Sequence, residues 1–356
     1  MARLARKLKE DVAAIALPDG RVVGSSGHAK ARRYLLARME RLGLEPFQGN
    51  GLELTYSWDG EDFSNLVGVV PGASPSASPV LLGAHYDSVI PAPCADDNAA
   101  AVAIALAAAE ILGRRKLRRD VVIAVFDAEE PRHFLQPSMG SIRFYEDHGR
   151  VRGIHAALIM DMMGHDVVVP AEMLDFVPWL GRLGQILLPR IGKEDVVVPG
   201  VRDLFFMTGA ESHPALASVI DSVRVPRRLR LIAALNEYVG DMSDHGVFRT
   251  HGVPYLFFSC GRWRHYHVKT DTPDILNYAK MARMTRYLVA ITEALAAAEL
   301  APHFGGPVDT IQFEIRRIRK ACGPALPYVL KLLGVEKLET REDISTLAER
   351  LMRMGL

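Results

Sequence analysis

Runs of apolar residues recur along this chain without the polar-apolar alternation of a strand that has one face in water. A strand that is covered on both faces is apolar at successive positions, so these runs are typical of buried strands. They span residues 64–71, 80–83, 121–126, 156–160 and 254–258. The pattern predicts a sheet that is covered on both sides.

Segments with helical spacing lie between these runs. Apolar residues on one helical face predict a helix over residues 25–43: Ala31, Leu35, Met39 and Leu42. Ser26 is the expected N-cap of this helix, and Gly43 is its expected end. The Ala-rich segment 99–112 is too long for a typical strand and predicts a buried helix, and residues 273–298 predict a long one.

Alternation of strands with helices is typical of one fold class. We expect an α/β fold with a mostly parallel, mixed central sheet and helices on both faces. In such sheets a ligand binds at the carboxyl ends of the strands. Three of the apolar runs end in acidic or histidine-containing clusters, at His85, Asp127 and Asp161. This coincidence is the first functional signal in the sequence.

The last part of the chain differs in character from the rest. Residues 326–338 and the segment after Thr340 have helical spacing, and Thr340 with Asp343 resembles a capping box. We predict a main domain over residues 1–300 and a small helical extension over residues 301–356 that packs on it. Burial of its apolar faces against the main domain is the simplest role for this extension, and homo-oligomer formation is the alternative.

Composition narrows the class of protein. The chain is 49% apolar and 24% charged, with a formal net charge of +1 at pH 7, which is ordinary for a soluble globular protein. A nearly neutral chain has no charge field suited to nucleic acid or to a membrane surface, so neither partner is expected. The N-terminus lacks the apolar core of a signal peptide, and no run is long enough to span a bilayer. We expect a cytoplasmic protein, although a secreted chain without its signal would show the same pattern.

Cysteines and basic clusters add little to this picture. Cys94, Cys260 and Cys322 are too few for a disulfide framework, and no CxxC or CxxH spacing indicates a structural zinc site. The basic clusters at 114–119 and 227–230 are typical of solvated helix ends or loops. An anionic docking surface is the alternative interpretation.

Five short segments carry the candidate chemistry: GAHYDS (83–88), CADDNAA (94–100), FDAEE (126–130), MDMMG (160–164) and YHVKTDTPD (266–274). Acidic pairs at the ends of buried strands cost desolvation and like-charge repulsion unless a cation lies among them. Histidine and carboxylate ligands without thiolates suit zinc, with manganese or cobalt as substitutes. Two such ions close together require a shared carboxylate.

In this order the five segments resemble the metal-binding motifs of the M28 family of zinc aminopeptidases. Two further stretches are similar to that family: GSSGHAKARRYLLARMERLGL to its opening helix, and SDHGVFRTHGVPYLFF to the segment before its last ligand. The resemblance covers about residues 22–298. It implies a zinc-exopeptidase-like catalytic domain over residues 1–300, and the extension 301–356 lies outside it.

The resemblance implies two Zn²⁺ ions and a set of five ligands: His85, Asp97, Glu130, Asp161 and His267. His85 would share one ion with Asp161, and His267 would share the other with Glu130. Asp97 would bridge the two ions, with Asp96 as the fallback. Mn²⁺ or Co²⁺ could take the place of zinc.

Roles around the ligands follow from the same resemblance. Glu129 would be the general base, next to a ligand but not itself one. Asp87 would orient the His85 ring by accepting its other N–H. Asp271 is similar to an acidic partner near His267.

Three features depart from the family pattern, and the first is Asn98-Ala99-Ala100-Ala101 after Asp97, where the family often has Asn-x-Ser-Gly. The loop 131–139 after the acidic pair is longer and bulkier than usual, and we expect it to shape or narrow the substrate pocket. Tyr238 is offset from the position of the family's tyrosine near the substrate carbonyl, so it is not an expected oxyanion donor.

His245 fits a pocket residue and a hydrogen-bonded loop histidine equally well. The remaining histidines without motif support are expected to be structural: His133, His165, His213, His251 and His265.

The expected function is a two-metal hydrolase that removes N-terminal residues from a peptide substrate. A metal-activated water would attack, and a glutamate would serve as general base. A dipeptidase, a carboxypeptidase or a glutaminyl cyclase on the same site is one alternative, and a non-catalytic binding protein on the peptidase scaffold is another. The presence of all five ligand positions favours two metals and hydrolysis.

Overall fold

The computed structural model describes residues 1–170, 190–191, 195–196, 201–303 and 305–353. Its strands are β1 (Glu45–Pro46), β2 (Glu53–Trp58), β3 (Glu61–Val70), β4 (Val80–His85), β5 (Val121–Phe126), β6 (Ala156–Met160), β7 (Val169–Pro170), β8 (Arg190–Ile191), β9 (Asp195–Val196), β10 (Leu204–Thr208), β11 (Arg230–Ala233) and β12 (Tyr255–Ser259). The central sheet has the order β1-β3-β5-β4-β6-β12-β10-β11, and β2 pairs with β3. Strands β7, β9 and β8 form a separate small sheet.

Both faces of the central sheet are covered. The four middle strands β5, β4, β6 and β12 run parallel, and β3 and β10 flank them antiparallel. Successive residues of one strand enter different apolar clusters: Leu82 lies in the larger cluster and Leu81 in the smaller one on the other face. Burial on both faces explains the continuous apolar runs and confirms the predicted α/β class with a mixed sheet.

The helices are α1 (Ala2–Ile15), α2 (Ser26–Arg41), α3 (Ala101–Leu112), α4 (Gly140–Phe144), α5 (Arg150–Arg152), α6 (Leu216–Ser222), α7 (His245–Thr250), α8 (Tyr278–Ala297), α9 (Ile311–Cys322), α10 (Leu326–Leu332) and α11 (Arg341–Arg353). Helices α1, α3 and α8 pack against one another over the face that includes Leu82. Phe144 of α4 and Phe248 of α7 belong to the cluster on the opposite face.

The predicted helix 25–43 is α2, and its predicted N-cap is wrong by one residue. Ser25 has an extended backbone and its side chain accepts a hydrogen bond from the amide of His28 at 3.1 Å. Ser26 is already the first helical residue, so its hydroxyl is not in the capping position. Gly43 follows the helix with a φ of +70°, as expected for a residue that ends it.

The helix predicted over residues 99–112 begins at Ala101 as α3. The preceding turn, Ala95–Ala100, is interrupted at Asp97 and Asn98, whose backbone angles are not helical. The Ala-rich composition could not reveal this interruption, because it is caused by the hydrogen bonds that the turn makes to distant segments.

The predicted long helix 273–298 begins at Tyr278 as α8. Residues Pro273–Ile275 form a separate short turn, and the side chain of Asn277 accepts from the amide of Lys280 at 2.9 Å. Asn277 is therefore the N-cap, a signal that is present in the sequence.

Helix α1 and strands β2, β10 and β11 were not predicted. In α1 the residues Leu8, Val12 and Ile15 are fully buried. Their spacing is helical, so this signal was available in the sequence. The strands β10 and β11 are short and only half covered, with alternating burial that a continuous apolar run does not show.

The C-terminal helices form an apolar cluster of their own, made by Ile315, Ile318, Leu330, Leu333, Val335, Leu338, Ile344 and Leu347. Helix α9 packs against β11, the last strand of the sheet, and so covers a sheet edge. The helix predicted over residues 326–338 ends at Leu332, because Gly334 adopts a φ of +59°. The domain division at residue 300 remains a prediction.

The predicted capping box at the start of α11 is confirmed. The amide of Thr340 donates to Asp343 Oδ2 at 2.8 Å, and the amide of Asp343 donates to Thr340 Oγ1 at 3.2 Å. This reciprocal pair satisfies two N–H groups at the helix start.

Glutamates pair with much of the first basic cluster: Arg114 with Glu110, Arg115 with Glu293, and Arg118 and Arg119 with Glu299. These ion pairs agree with the interpretation of a helix end rather than a docking surface. The three cysteines are free thiols. Among the described residues, no helix combines the length and the apolar composition that crossing a bilayer requires.

Candidate metal centre

The five predicted ligands converge at one edge of the sheet. Strands β4, β5 and β6 are parallel neighbours, so their carboxyl ends lie side by side. This edge carries His85 at the end of β4, the acidic pair after β5 and Asp161 after β6. The turn before α3 contributes Asp97, and the loop after β12 contributes His267.

The first group of side chains surrounds the His85 ring, which is fully buried. His85 Nε2 lies 3.4 Å from Asp97 Oδ1 and 3.7 Å from Asp161 Oδ1. Glu129 Oε2 is also 3.7 Å from the same nitrogen. A nitrogen and three carboxylate oxygens therefore face a common space.

The second group surrounds His267. Its Nε2 lies 3.1 Å from Asp97 Oδ2 and 3.2 Å from Glu130 Oε2. The two oxygens of Asp97 thus face different histidines, Oδ1 toward His85 and Oδ2 toward His267. A carboxylate placed in this way can ligate two ions at once.

Among the described residues, three buried atoms of this centre have no hydrogen-bond partner: His85 Nε2, Asp161 Oδ1 and Glu130 Oε1. Orphaned buried polar atoms are rare in native proteins and often mark an ion. Two triads bring candidate ligand atoms within 4.8 Å of one another, His85 with Asp97 and Glu130, and His85 with Glu129 and Asp161. Imidazole nitrogens and carboxylate oxygens fit zinc, and also manganese or cobalt.

The electrostatics of these groups without a cation are unfavourable. Burial, reinforced by the charge of Asp97, raises the pKa of Glu130 to about 8. Burial also raises the pKa of Glu129 well above its usual range, and the carboxylates of Asp161 and Asp244 add to that shift. Although burial lowers the pKa of His267, its hydrogen bonds to Asp97 and Glu130 raise it to about 9. A divalent cation would supply the positive charge that these groups otherwise take up as protons.

Asp87 links the first histidine to the acidic turn. Its Oδ1 lies 3.2 Å from His85 Nδ1 and accepts from the amide of Glu129 at 3.1 Å. Its Oδ2 accepts from the amide of Glu130 at 3.1 Å. The carboxylate can therefore fix the His85 ring with Nε2 toward the centre, which is the geometry expected of its predicted orienting role.

The neighbouring Asp96 faces away from both histidines. Its Oδ1 accepts from the amide of Gly164 at 2.5 Å, and its Oδ2 lies 2.6 Å from His165 Nδ1. A methyl group at Gly164 would stand only 2.8 Å from Asp96 Oδ1, so glycine permits this approach. Asp97 rather than Asp96 thus has the bridging geometry, and His165 has a structural partner.

Asp271 holds the same turn through its backbone. Its carboxylate accepts from the amide of Asp96 at 2.9 and 3.1 Å and from the amide of Asp97 at 3.1 Å. Burial and the charge of Asp96 raise the pKa of Asp271 to about 8. Asp271 therefore positions the Asp97 segment rather than the His267 ring.

The acidic turn after β5 is anchored by Asp127. Its Oδ2 accepts from the amide of Ser64 at 2.8 Å, and its Oδ1 accepts from the amide of Ala128 at 2.9 Å. His28 Nε2 lies 2.7 Å from the same Oδ1. Helix α2 therefore reaches the centre through His28, a role that the sequence did not reveal.

Backbone strain is concentrated beside the ligands. Cys94, Ala128, Met162 and His267 have φ values of +42°, +54°, +51° and +59°, in the left-handed region that L-residues rarely adopt. Each lies within three residues of a predicted ligand. Such outliers persist where the surrounding structure holds them, and they are common at functional sites.

Asp244 is a buried carboxylate that sequence reasoning missed. Both of its oxygens lack a hydrogen-bond partner. Burial raises its pKa to about 7, with Asp87 and Asp161 contributing, although His85 opposes the shift. The sequence does show this carboxylate, in the segment SDHG directly before His245.

The structure gives the partners of His245, whose role the sequence left open, and of Tyr238. His245 Nε2 lies 3.1 Å from the carbonyl oxygen of Gly240, and its ring stacks on Phe257 at 4.2 Å. Burial lowers its pKa to about 4, so it is a neutral structural histidine. Tyr238 shares a hydrogen bond of 2.8 Å with Ser345 in α11, in agreement with the expectation that it is not the oxyanion donor.

Gly140 ends the loop 131–139 at a point of close approach. A Cβ there would lie 2.3 Å from Asp127 O and 2.4 Å from Asn65 Oδ1. Gly140→Ala is therefore expected to lower the free energy of unfolding by about 1–3 kcal/mol, as overpacking does. Urea unfolding of the variant and of the wild-type protein measures this difference in the free energy of unfolding. The control Gly113→Ala, where φ is −60° and the nearest atom is 3.4 Å away, should change stability by less than about 0.5 kcal/mol. Equal losses in both variants would contradict the prediction.

Known proteins are similar to this chain in sequence or in structure. A curated relative, the uncharacterized protein YfbL of Escherichia coli (strain K12), is 27% identical over 236 residues, which is 63% of this chain and 69% of YfbL. The LapA aminopeptidase of Legionella pneumophila has a similar structure, with a TM-score of 0.59 and 16% identity over 84% of this chain and 72% of LapA.

Two further solved structures share the fold. A glutaminyl cyclase of Porphyromonas gingivalis gives a TM-score of 0.57 at 18% identity, covering 81% of this chain and 97% of the cyclase. A Zn-dependent exopeptidase of Parabacteroides distasonis gives a TM-score of 0.56 at 16% identity, covering 81% of this chain and 97% of the exopeptidase. At these identities the likeness establishes the zinc-exopeptidase-like fold alone.

The family follows from the sequence profile. The profile of peptidase family M28 matches residues 65–170 and 194–292, which is more than half of the chain and includes the five converging ligand positions. The family supports a metallopeptidase. The chain belongs to peptidase family M28.

Proposed function

We propose that this protein is a two-metal aminopeptidase that removes N-terminal residues from peptides. The observation that carries the proposal is the placement of Asp97, whose two oxygens face His85 and His267 from opposite sides. One ion would be held by His85, Asp97 and Asp161, and the other by Asp97, Glu130 and His267. Zinc fits the ligand types, with manganese or cobalt as substitutes.

When bound, such a pair of ions lowers the pKa of a shared water and polarises the scissile carbonyl. The residues of the chain supply the proton transfers. Glu129 accepts the proton of the attacking water at its carboxylate and passes it to the leaving amine. Its backbone amide is held by Asp87 Oδ1, which fixes the carboxylate at the edge of the first group.

The number of buried carboxylates around the centre supports an aminopeptidase over an endopeptidase. Besides the ligand carboxylates, the buried side chains of Asp87, Asp244 and Asp271 lie around the centre. Burial raises the pKa of Asp244 to about 7 and that of Asp271 to about 8, so a further positive charge nearby would favour their ionised forms. The field therefore favours a substrate that carries a positive charge next to the scissile bond, as the free N-terminal amine of a peptide does.

The first test is cleavage of a mixed peptide set by the purified protein, with and without a chelator, read by mass spectrometry. Chelator-sensitive loss of single N-terminal residues is the expected result. C-terminal trimming, cleavage of dipeptides alone or water loss from N-terminal glutamine would replace the proposal by a carboxypeptidase, a dipeptidase or a glutaminyl cyclase. No turnover after addition of zinc or cobalt would favour the non-catalytic binding role.

The loop 131–139 is proposed to restrict the substrate pocket. It begins directly at Glu130, whose carbonyl oxygen accepts from the amides of His133 and Phe134 at 3.1 Å. Its far end is attached to the β2–β3 hairpin by the Tyr56 hydroxyl, which donates to the carbonyl of Ser138 at 2.9 Å. The loop is thus held in place beside a predicted ligand, with Leu135 54% exposed.

Replacing the loop by a short Gly-rich connection is expected to broaden the range of accepted N-terminal residues by at least about tenfold in kcat/KM for the poorest substrates. Side-chain profiling with a peptide library measures this change. Val151→Ala, at an 88% exposed position in α5, serves as the control and should leave the profile unaltered. An unaltered profile after loop replacement would count against a restricting role.

A further inference from the structure

Arg21 is a fully buried arginine whose guanidinium, within the part of the chain that the structure describes, donates to backbone carbonyls alone. Its Nε donates to Tyr86 O at 2.7 Å. Its Nη1 donates to Ile15 O at 3.4 Å and to Pro93 O at 2.6 Å. Its Nη2 donates to Cys94 O at 3.0 Å and to Asp97 O at 3.3 Å. The guanidinium has five N–H donors, and five carbonyl oxygens accept from them, so each donor has an acceptor.

Four of these carbonyls belong to the two segments that carry the first histidine and the predicted bridging carboxylate, and the fifth, that of Ile15, ends α1. Tyr86 lies between His85 and Asp87, and the other acceptors include Asp97 itself. The backbone of Arg21 is also paired with the first segment, since its amide donates to Ser88 Oγ at 2.7 Å and its carbonyl accepts from the amide of Ser88 at 3.3 Å. Arg21 therefore connects both ligand-bearing segments through its side chain and its main chain.

The peptide groups of Asp97 are held from two sides. Asp271 accepts from the amide of Asp97, while Arg21 donates to its carbonyl. The amide of Ala95 also donates to Asp271 O at 3.2 Å. The irregular turn Ala95–Ala100 thus has fixed partners before any ion is considered, and these partners explain why its backbone departs from the helix that follows.

The charge of Arg21 matters as well as its shape. Its guanidinium pairs with no carboxylate directly, yet Asp97, Asp87 and Asp271 lie near enough to interact with it electrostatically. Burial of an unpaired cation is unfavourable. Burial of a cluster of carboxylates is also unfavourable, and their charge has the opposite sign. Each therefore offsets the other: burial lowers the pKa of Arg21, and the negative charges of Asp97, Asp87 and Asp271 oppose that shift.

From these contacts we infer that Arg21 is a positioning residue, which holds the Asp97 turn against the His85 segment so that the ligands are in place before metal binds. The inference rests on the proposed metal centre but not on the identity of the reaction. It assigns a role to the segment before α2, which lies outside the five motifs.

Arg21→Lys tests the inference, because lysine keeps the charge but cannot reach five carbonyls. Metal affinity is measured by competition of Zn²⁺ with a chromophoric chelator, and the ligand geometry by the visible spectrum of the Co²⁺-loaded protein. Loss of a residue that positions ligands typically weakens metal binding by about 10–100-fold. We expect a loss of this size and an altered Co²⁺ spectrum.

The matched control is Arg317→Lys. Arg317 is also buried, lies in α9, donates to the carbonyl of Ile220 at 2.8 Å and pairs with Asp221 at 2.6 Å, so its replacement should alter stability but not metal affinity. Wild-type affinity and spectrum in folded Arg21→Lys would overturn the inference, whatever its melting temperature. These readouts need no turnover, so failure of the wild-type protein to cleave peptides would overturn the proposed function alone.

A second measurement applies even if Arg21→Lys does not fold. Hydrogen exchange of the metal-free wild-type protein should show the amides of Asp96 and Asp97 already protected. Exchange at the rate of an open loop, with protection only after metal is added, would mean that metal rather than Arg21 orders the turn, and would equally overturn the inference.

Discussion

Glu129→Ala is expected to lower kcat by about two to four orders of magnitude, which is the usual contribution of a general base, with both ions retained. The reason is the position of the carboxylate. Glu129 Oε2 faces the same space as His85 Nε2 at 3.7 Å, but it makes no contact with His267. It is therefore close enough to take a proton from a bound water while the second group of ligands remains complete.

The same distances leave one competing role for Glu129, that of a metal ligand. Glu129 Oε2 lies within reach of His85 and Asp161 in one of the candidate metal-holding triads. Metal content therefore has to be measured together with rate, by atomic emission on dialysed protein. A base predicts two ions per chain in Glu129→Ala, whereas a ligand predicts loss of one ion.

Glu130→Ala provides the internal comparison, because Glu130 Oε2 lies 3.2 Å from His267 Nε2 in the second group. It should lose metal, so the two adjacent glutamates are distinguished by stoichiometry rather than by activity. Near-normal turnover of Glu129→Ala would remove Glu129 as the base.

Asp97→Asn is expected to have the second large effect, loss of both ions and a fall in turnover of at least about three orders of magnitude. An amide offers one neutral oxygen where the carboxylate offers two charged ones, and both histidines depend on Asp97. Equilibrium dialysis against buffered zinc measures the stoichiometry.

The neighbouring variant Asp96→Asn is the matched control. Asp96 bonds to Gly164 and His165 and not to the ligand histidines, so its loss should reduce stability while two ions still bind. If Asp96→Asn lost both ions and Asp97→Asn kept them, the bridging assignment would have to pass to Asp96.

Much of the fold could be predicted because local pattern and burial coincide in the middle of the sheet. The runs 121–126 and 156–160 agree with β5 and β6 at both ends, since each is covered on both faces and bounded by polar residues. Strands that are only partly buried were not predicted. The strand β10 has alternating burial, and its residues pair with β11 and β12, which are distant in sequence.

The starts of the helices also differ in whether a local sequence signal or distant contacts decide them. The capping box of Thr340 and Asp343 is local, and it was recognised from four consecutive positions. The start of α3 depends on Asp97 and Asn98, whose backbone angles are set by Arg21, Asp271 and other partners elsewhere in the chain. Composition alone favoured an uninterrupted helix there.

By itself, the sequence determined the residue types of the centre and their arrival at one edge of the sheet. Three of the five motifs directly follow an apolar run, and parallel strands end at the same edge. Only the tertiary structure decided which way the side chains face. Asp96 and Asp97 are adjacent and chemically identical, yet one pairs with His165 and the other with His85 and His267. Their orientation depends on contacts from far away, such as that of Arg21, which is 76 residues from Asp97 along the chain, and no local pattern encodes a contact of that range.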